Sequence, residues 1–240
     1  MRSIADQDAA VLGGDGSVLV RQRRDHAELD LLLDQVQAAE GDRQDELLTK
    51  VWRLVFRHAY AEETVLWPVL RRLPGGEELT LRVEQEHQEI NELVGALDRT
   101  PASSPERGPL LDRVVDLLRQ DVRDEEDELL PRLRDALDDQ QLQRLGRTWE
   151  LVRRTAPTRP HAVVSRRPPG NVLAALPLAV IDHLRDGLDR AARTDPGPVR
   201  SGATLASRGL AAVAGVVEQL PPLQQGERPS TRPGRTDVQP

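Results

Sequence analysis

"QDVRDEEDELLPRL" (Gln120–Leu133) nearly repeats "RHAYAEETVLWPVL" (Arg57–Leu70), and the pattern the two share decides the fold. Laying Pro131 on Pro68 places Glu125 on Glu62, Glu126 on Glu63 and Asp121 on His58. Residues four apart on a helix share a face, so His58 with Glu62 and Asp121 with Glu125 form matched pairs. The apolar residues around them show which face that is. Leu47, Val51, Leu54, Val65 and Val69 flank the first pair at helical spacing, and Leu111, Val114, Leu118 and Leu129 flank the second. Both polar pairs therefore sit on a stripe that should face a core.

Two further stripes lie outside the repeat. His26, Leu29, Leu33 and Val36 step by three, four and three, and Val83, His87, Ile90, Val94 and Leu97 follow the same rhythm. Gly41 in "AAEGDRQ", the stop "LPGGEE" (73–78) and the loop "RTPASSPERGP" (99–109) separate the four segments. Four amphipathic helices of about 20 residues with short joins predict an all-α, antiparallel up-down four-helix bundle. A short fifth helix over 139–154, with Leu142, Leu145, Trp149 and Val152 on one side, should cap it. The expected organisation is a flexible N-terminus (1–17), the bundle (18–155), a linker with a C-terminal helical extension (156–220) and a disordered tail (221–240). "NVLAALPLAVIDHLRDGL" and "GATLASRGLAAVAGVVEQL" should pair as a helical hairpin or lie on a partner, so a protein partner or self-association through 171–220 is open.

Composition narrows the function. Residues 1–155 carry a net charge of −11 and residues 156–240 carry +4, giving the chain total of −7. An acidic body argues against nucleic acid binding, which wants a basic face. No apolar run approaches the roughly 20 residues that span a bilayer, and the start lacks the apolar segment of a signal peptide. The chain has no Cys, so a metal site would use nitrogen and oxygen ligands, and the expected compartment is the cytoplasm.

His26, His58, His87 and Asp121 each fall on the apolar stripe of a different helix, with Glu62 and Glu125 one turn beyond two of them. Buried carboxylates cost several kcal/mol unless paired or bound to metal. No inward Lys or Arg is in view, so a cation in the core is the expected partner. Bundle cores are where carboxylate-bridged dinuclear sites are built, and six protein ligands leave positions open for a small molecule. Ferritin-like centres use Glu-x-x-His pairs three apart, and the four-residue spacing here rejects that arrangement. Glu63, Asp124, Glu126, Asp127 and Glu128 read as a solvated face. Trp52, Phe56 and Trp67 read as packing residues, His161 and His183 as histidines outside the site, and Tyr60 as pointing away from the His58 face.

The same residues resemble the hemerythrin (HHE cation-binding) family over roughly 20–153. The shared features are His on the first helix, His-x-x-x-Glu then Glu and "LWP" on the second, Glu-His on the third, and Glu-Glu with "LLP" on the fourth. The resemblance implies a non-haem di-iron centre, with manganese as an alternative metal, ligated by His26, His58, Glu62, His87 and Glu125. Glu62 and Glu125 would be the bridges, and the partner a small diatomic ligand (O₂ or nitric oxide) or peroxide. Family members usually place His where Asp121 stands, and the additional third-helix His of oxygen carriers is replaced by Asn91. Asp121 has three readings: direct ligand, ligand through a water, or a position that has lost its role. A carboxylate for an imidazole adds negative charge and lowers the reduction potential, so a reactive centre is expected rather than a reversible carrier. Catalase-like or oxidase-like activity, a sensing module relaying to the C-terminal helices, and a bundle with a degraded site are the functions in contention.

Overall fold

The computed structural model describes residues 2–194 and 197–232, without the side chains of Pro198 and Val199. Among the described residues there is no strand, and the fold is an all-α bundle. The first rod, α1 (Val18–Gln37), starts at Ser17, whose hydroxyl accepts from the Leu19 amide at 3.2 Å. The second runs as α2 (Gly41–Ala61), a π-helical turn (Glu62–Leu66) and α3 (Trp67–Leu70). The third is α4 (Gly76–Arg99). The fourth is α5 (Arg107–Asp124), a second π turn (Glu125–Leu129) and α6 (Leu130–Ala136). At the reversal between the second and third rods the backbone folds so closely that a Cβ on Gly76 would lie 1.9 Å from the Leu70 carbonyl oxygen. Only glycine fits there.

The two π turns are a departure from the continuous helices that the spacing predicts. Each precedes a proline, Pro68 or Pro131, which has no N–H to return to the preceding turn. The helix widens there, and the amides of Trp67 and Leu130 reach back five residues to the carbonyls of Glu62 and Glu125. The repeat seen in the sequence is thus a repeat of backbone geometry as well.

A fifth helix, α7 (Asp139–Thr155), opens with a capping box between Asp138 and Gln141 and lies across α1 and α2, burying Leu142 and Trp149. Its Gly146 crosses the chain at Gly16, where a Cβ would meet the carbonyl oxygen at 2.3 Å.

The core falls into two apolar clusters stacked along the bundle. One gathers Leu19, Leu66, Trp67, Leu70, Val83, Leu130, Leu133 and Trp149. The other gathers Leu33, Val51, Phe56, Ile90, Val94 and Leu118. His26, His58, His87 and Asp121 lie in the gap of the sequence between the two sets on every rod, so the polar residues form one band with apolar packing above and below.

The ends correct the composition-based expectations. Residues 2–17 form no α-helix, yet Ile4 and Leu12 are fully buried and the Ile4 amide donates to the Glu126 carbonyl. Ile4 and Leu12 seat this polar stretch in the core, and Arg23, Arg134 and Gln143 donate to its carbonyls. In the segment read as a disordered tail, short 3₁₀ turns at Pro221–Gln224 and Pro229–Thr231 bury Leu223 and Thr231; residues 233–240 lie outside the described residues. Between them, α8 (Gly170–Thr194) and α9 (Pro198–Glu218) pair as a hairpin with its own small core of Ala174, Leu178 and Ala214. The outward side of this hairpin exposes Leu176, Val180, Leu184, Leu205 and Val216. No helix among the described residues is long and apolar enough to cross a membrane.

Candidate metal centre

All six sequence-predicted residues meet in the polar band. His26 Nε2 lies 3.2 Å from His58 Nε2 and 3.2 Å from Glu125 Oε2. His58 Nε2 lies 3.1 Å from Glu62 Oε1. Across the centre, His87 Nε2 is 3.6 Å from Asp121 Oδ1, 3.7 Å from Glu125 Oε1 and 3.8 Å from Glu62 Oε2. Ligands about 2 Å from one ion stand no more than about 4 Å apart, which is the spacing found here. The ligand atoms of His26, His58, Glu62 and Glu125 all lie within 4.8 Å of one another, and so do those of His87, Asp121 and Glu125. Glu125 belongs to both, with one oxygen toward each, and the two Glu62 oxygens divide between His58 and His87 in the same way. The arrangement is a buried cluster of imidazoles and carboxylates that could hold metal.

Polar satisfaction points the same way. Both oxygens of Glu62, Oε1 of Glu125 and Oδ1 of Asp121 are buried and accept no hydrogen bond. Among the described residues, no Lys or Arg forms an ion pair with any of these three carboxylates. A buried acceptor left without a partner costs about 1–3 kcal/mol, so four converging ones are a standing demand for a cation. The donor set, imidazole and carboxylate only, suits iron or manganese.

The ring nitrogens turned away from the centre are held just as specifically. The His26 Nδ1–H donates to Glu126 Oε1 at 2.9 Å, His58 Nδ1–H to Asp25 Oδ2 at 3.1 Å, and His87 Nδ1–H to Glu63 Oε1 at 2.9 Å. An ionised carboxylate only accepts, so each pairing places the proton on Nδ1 and directs the Nε2 lone pair inward. Glu63 and Glu126, expected on a solvated face, are corrected by this: Glu63 is 3% exposed and Glu126 half-buried. The widened turn explains Glu63, because extra backbone in the turn brings consecutive residues, Glu62 and Glu63, both to the interior. The signal in the sequence was adjacency, since Asp25, Glu63 and Glu126 each neighbour a metal-site residue and two of them coincide in the repeat.

Electrostatics follows from this crowding. Burial by itself lowers the histidine pKa values, but the accepting carboxylates of Glu125 and Glu126 beside its ring push His26 up to about 9. His58 and His87 also rise well above the ordinary range against their burial, through Glu62 with Asp25 and through Asp121 with Glu125 and Glu63 respectively. Burial raises Asp121 well above its usual value, and Glu125 and Glu62 add to this. Glu62 is raised by burial and by Glu125. Burial works to raise Glu63 too, yet Arg166 and His87 outweigh it and hold this carboxylate below its usual value.

Trp149 meets the His58 ring edge-on with centroids 5.4 Å apart, and Trp67 stacks on His87 at 6.3 Å, so Trp67 packs as expected against a metal-site residue. A cavity of about 30 Å³ opens beside the centre, walled by Leu29, Val55, Phe56, Ile90 and Leu118 opposite His26, His58, His87, Asp121 and Glu125. A water needs roughly 10–15 Å³ by this measure, so the cavity takes a molecule of two or three heavy atoms.

Tyr60 and His161 lie outside the centre. The Tyr60 hydroxyl donates to the Asn171 carbonyl of the extension. His161 joins α8 to α9 by bonding Asp182 at 3.0 Å and Glu218 at 2.8 Å. The expectation that no cationic side chain turns inward needs one amendment: the linker after α7 inserts Arg166 and Arg167 beside the bundle, where both are buried.

Comparison with known proteins agrees with the geometry. The chain is 28% identical over 142 residues to an uncharacterized hemerythrin-like protein of Schizosaccharomyces pombe, covering 58% of this chain and 70% of that one. It is 27% identical over 132 residues to a DNA nickase of a Nostoc species, covering 55% of this chain and 37% of that one. No solved structure gives a significant match. The family model for the hemerythrin HHE cation binding domain matches residues 17–133, which hold all six residues of the cluster. Residues 17–133 are thus similar to the hemerythrin HHE cation binding domain.

Proposed function

We propose that the bundle holds a di-iron centre through His26, His58, Glu62, His87, Asp121 and Glu125, and that this centre binds or reacts with O₂, nitric oxide or peroxide. The observation that carries the reading is the set of buried, partnerless carboxylate oxygens facing three imidazoles whose outer nitrogens are already held. Iron bound there would supply an open coordination position and electrons. The chain supplies the rest. Asp25, Glu126 and Glu63 fix the three tautomers, Glu62 and Glu125 would hold the metal with carboxylate oxygens, and the apolar wall admits a molecule of two or three heavy atoms while excluding larger reductants. Tyr60 is engaged with the extension. Asp121 supplies carboxylate where the family usually has imidazole, so the centre should favour its oxidised state and react rather than carry reversibly. A cytoplasmic setting is part of the same reading.

The test is anaerobic loading of metal-freed protein with ferrous iron, metal analysis, and then exposure to air, peroxide or nitric oxide. Two irons per chain with rapid oxidation in air supports the reading. No bound iron, or iron inert to all three reagents, refutes it. His87→Ala should lose iron and colour while keeping its helix content.

A further inference from the structure

The linker that follows α7 does more than connect. Arg166, 7% exposed, donates from Nη1 to Glu63 Oε1 at 3.1 Å and from Nη2 to Gln88 Oε1 at 2.9 Å. The same Glu63 oxygen accepts the Nδ1–H of His87. The Arg166 backbone is fixed on the other side: its carbonyl accepts from Asn171 Nδ2 at the start of α8, and its amide donates to Glu227 Oε2. A continuous line of contacts therefore runs from the hairpin through Arg166 and Glu63 to the metal-facing imidazole of His87. Arg166 lies outside residues 17–133 and comes from the extension. Of the other two outer carboxylates, Asp25 has a looser partner in Arg153 of α7 at 3.5 Å, and among the described residues no Arg or Lys forms an ion pair with Glu126. The extension thus acts most directly on the His87 side.

We propose that Arg166 is a positioning residue of the metal centre, and that metal loading and docking of the extension are coupled through the Arg166–Glu63–His87 line. The inference rests on the metal-site reading above and adds a regulatory connection to it. Glu63 can orient His87 only while its carboxylate stays in one rotamer, and the Arg166 guanidinium bonded to the same oxygen holds it there. Partners in the outer layer of metal sites govern the affinity of the ligands they orient. Coupling is reciprocal: the factor by which docked Arg166 tightens metal at the His87–Asp121–Glu125 position is the factor by which metal tightens the linker. A change at the centre is thereby felt by the hairpin with its exposed apolar face.

The experiment uses the full chain as wild type, Arg166→Met, Arg166→Lys and Arg167→Met. Arg167 is a matched control, because it is equally buried but bonds Glu84 and Glu77, neither of which touches a histidine of the centre. Each protein is titrated anaerobically with Fe²⁺ and with Co²⁺, the latter followed by its ligand-field bands. Amide hydrogen exchange across residues 156–169 is measured with and without metal. Arg166→Met should weaken one of two equivalents by roughly 10–100-fold. Arg166→Lys should recover part of the loss, and Arg167→Met should leave both equivalents unchanged. Metal should slow exchange in the linker of the wild type and not in Arg166→Met. Equal affinities in wild type and Arg166→Met, or linker exchange indifferent to metal in the wild type, overturns the proposal. If Arg166→Met does not fold, the wild-type exchange measurement and Arg166→Lys decide it. A wild type that binds no metal overturns both this inference and the di-iron reading, whereas tight metal binding indifferent to Arg166 sinks this inference alone.

Discussion

Glu62→Gln should make the metal-free protein more stable while abolishing its capacity to hold two metals, a pair of effects that only a functional carboxylate gives. Glu62 is completely buried, and neither oxygen accepts a hydrogen bond. Its pKa is raised by burial and by Glu125 even though His58 and His87 pull the other way, so the net surroundings disfavour its charge. Gln keeps the shape, removes the charge that Glu125 repels, and adds two donors. Relieving one or two partnerless buried acceptors at about 1–3 kcal/mol apiece, less the attraction lost at His58, leaves a gain of about 1–3 kcal/mol. For a chain of this size that raises the midpoint by roughly 2–10 °C. The assay is thermal unfolding of both proteins in excess chelator, beside metal analysis after anaerobic iron loading. A Glu62→Gln protein that melts below the wild type in chelator would refute the reasoning, because it would show Glu62 to be a structural partner of His58 rather than a ligand awaiting a cation.

Three further outcomes follow from the same geometry. Asp121→His removes a carboxylate 3.6 Å from His87 Nε2, and should raise the reduction potential and slow oxidation of the ferrous protein in air, read by spectroelectrochemistry and stopped flow. His161, raised to about 9 by Asp182 and Glu218 against its burial, contributes stability that is complete below pH 6.5 and lost as pH rises through 9. At 1.36 kcal/mol per unit this amounts to as much as about 3 kcal/mol, so the stability gap between wild type and His161→Gln in denaturant should shrink by that order between pH 6.5 and 10. Leu118→Ala, fully buried beside the cavity, should cost about 2–5 kcal/mol and enlarge the cavity, so that bulkier hydroperoxides react faster relative to hydrogen peroxide.

The bundle and its six inward residues were legible because both rest on the 3.6-residue period. A His or Asp on an apolar stripe announces itself, and the repeat doubled the signal at Glu62 and Glu125. What the period could not show is whatever breaks it. The π turns add backbone within a turn, and that is why Glu63, one residue off the stripe, is buried against His87 when the wheel would send it to solvent. Composition misled at the ends for a related reason: it averages over residues, while Ile4, Leu12 and Leu223 act singly, each filling one site in a core. Arg166 was the least visible residue, since an arginine in "SRRPPG" looks like part of a basic linker. Its role depends on a tertiary pairing with a carboxylate 103 positions away. The hidden features share a cause and a place. The π turns, the outer carboxylates and the inserted arginine all lie around the six residues that the pattern revealed, so the legible part of the site is the part that faces its centre and the illegible part is the part that orients those residues.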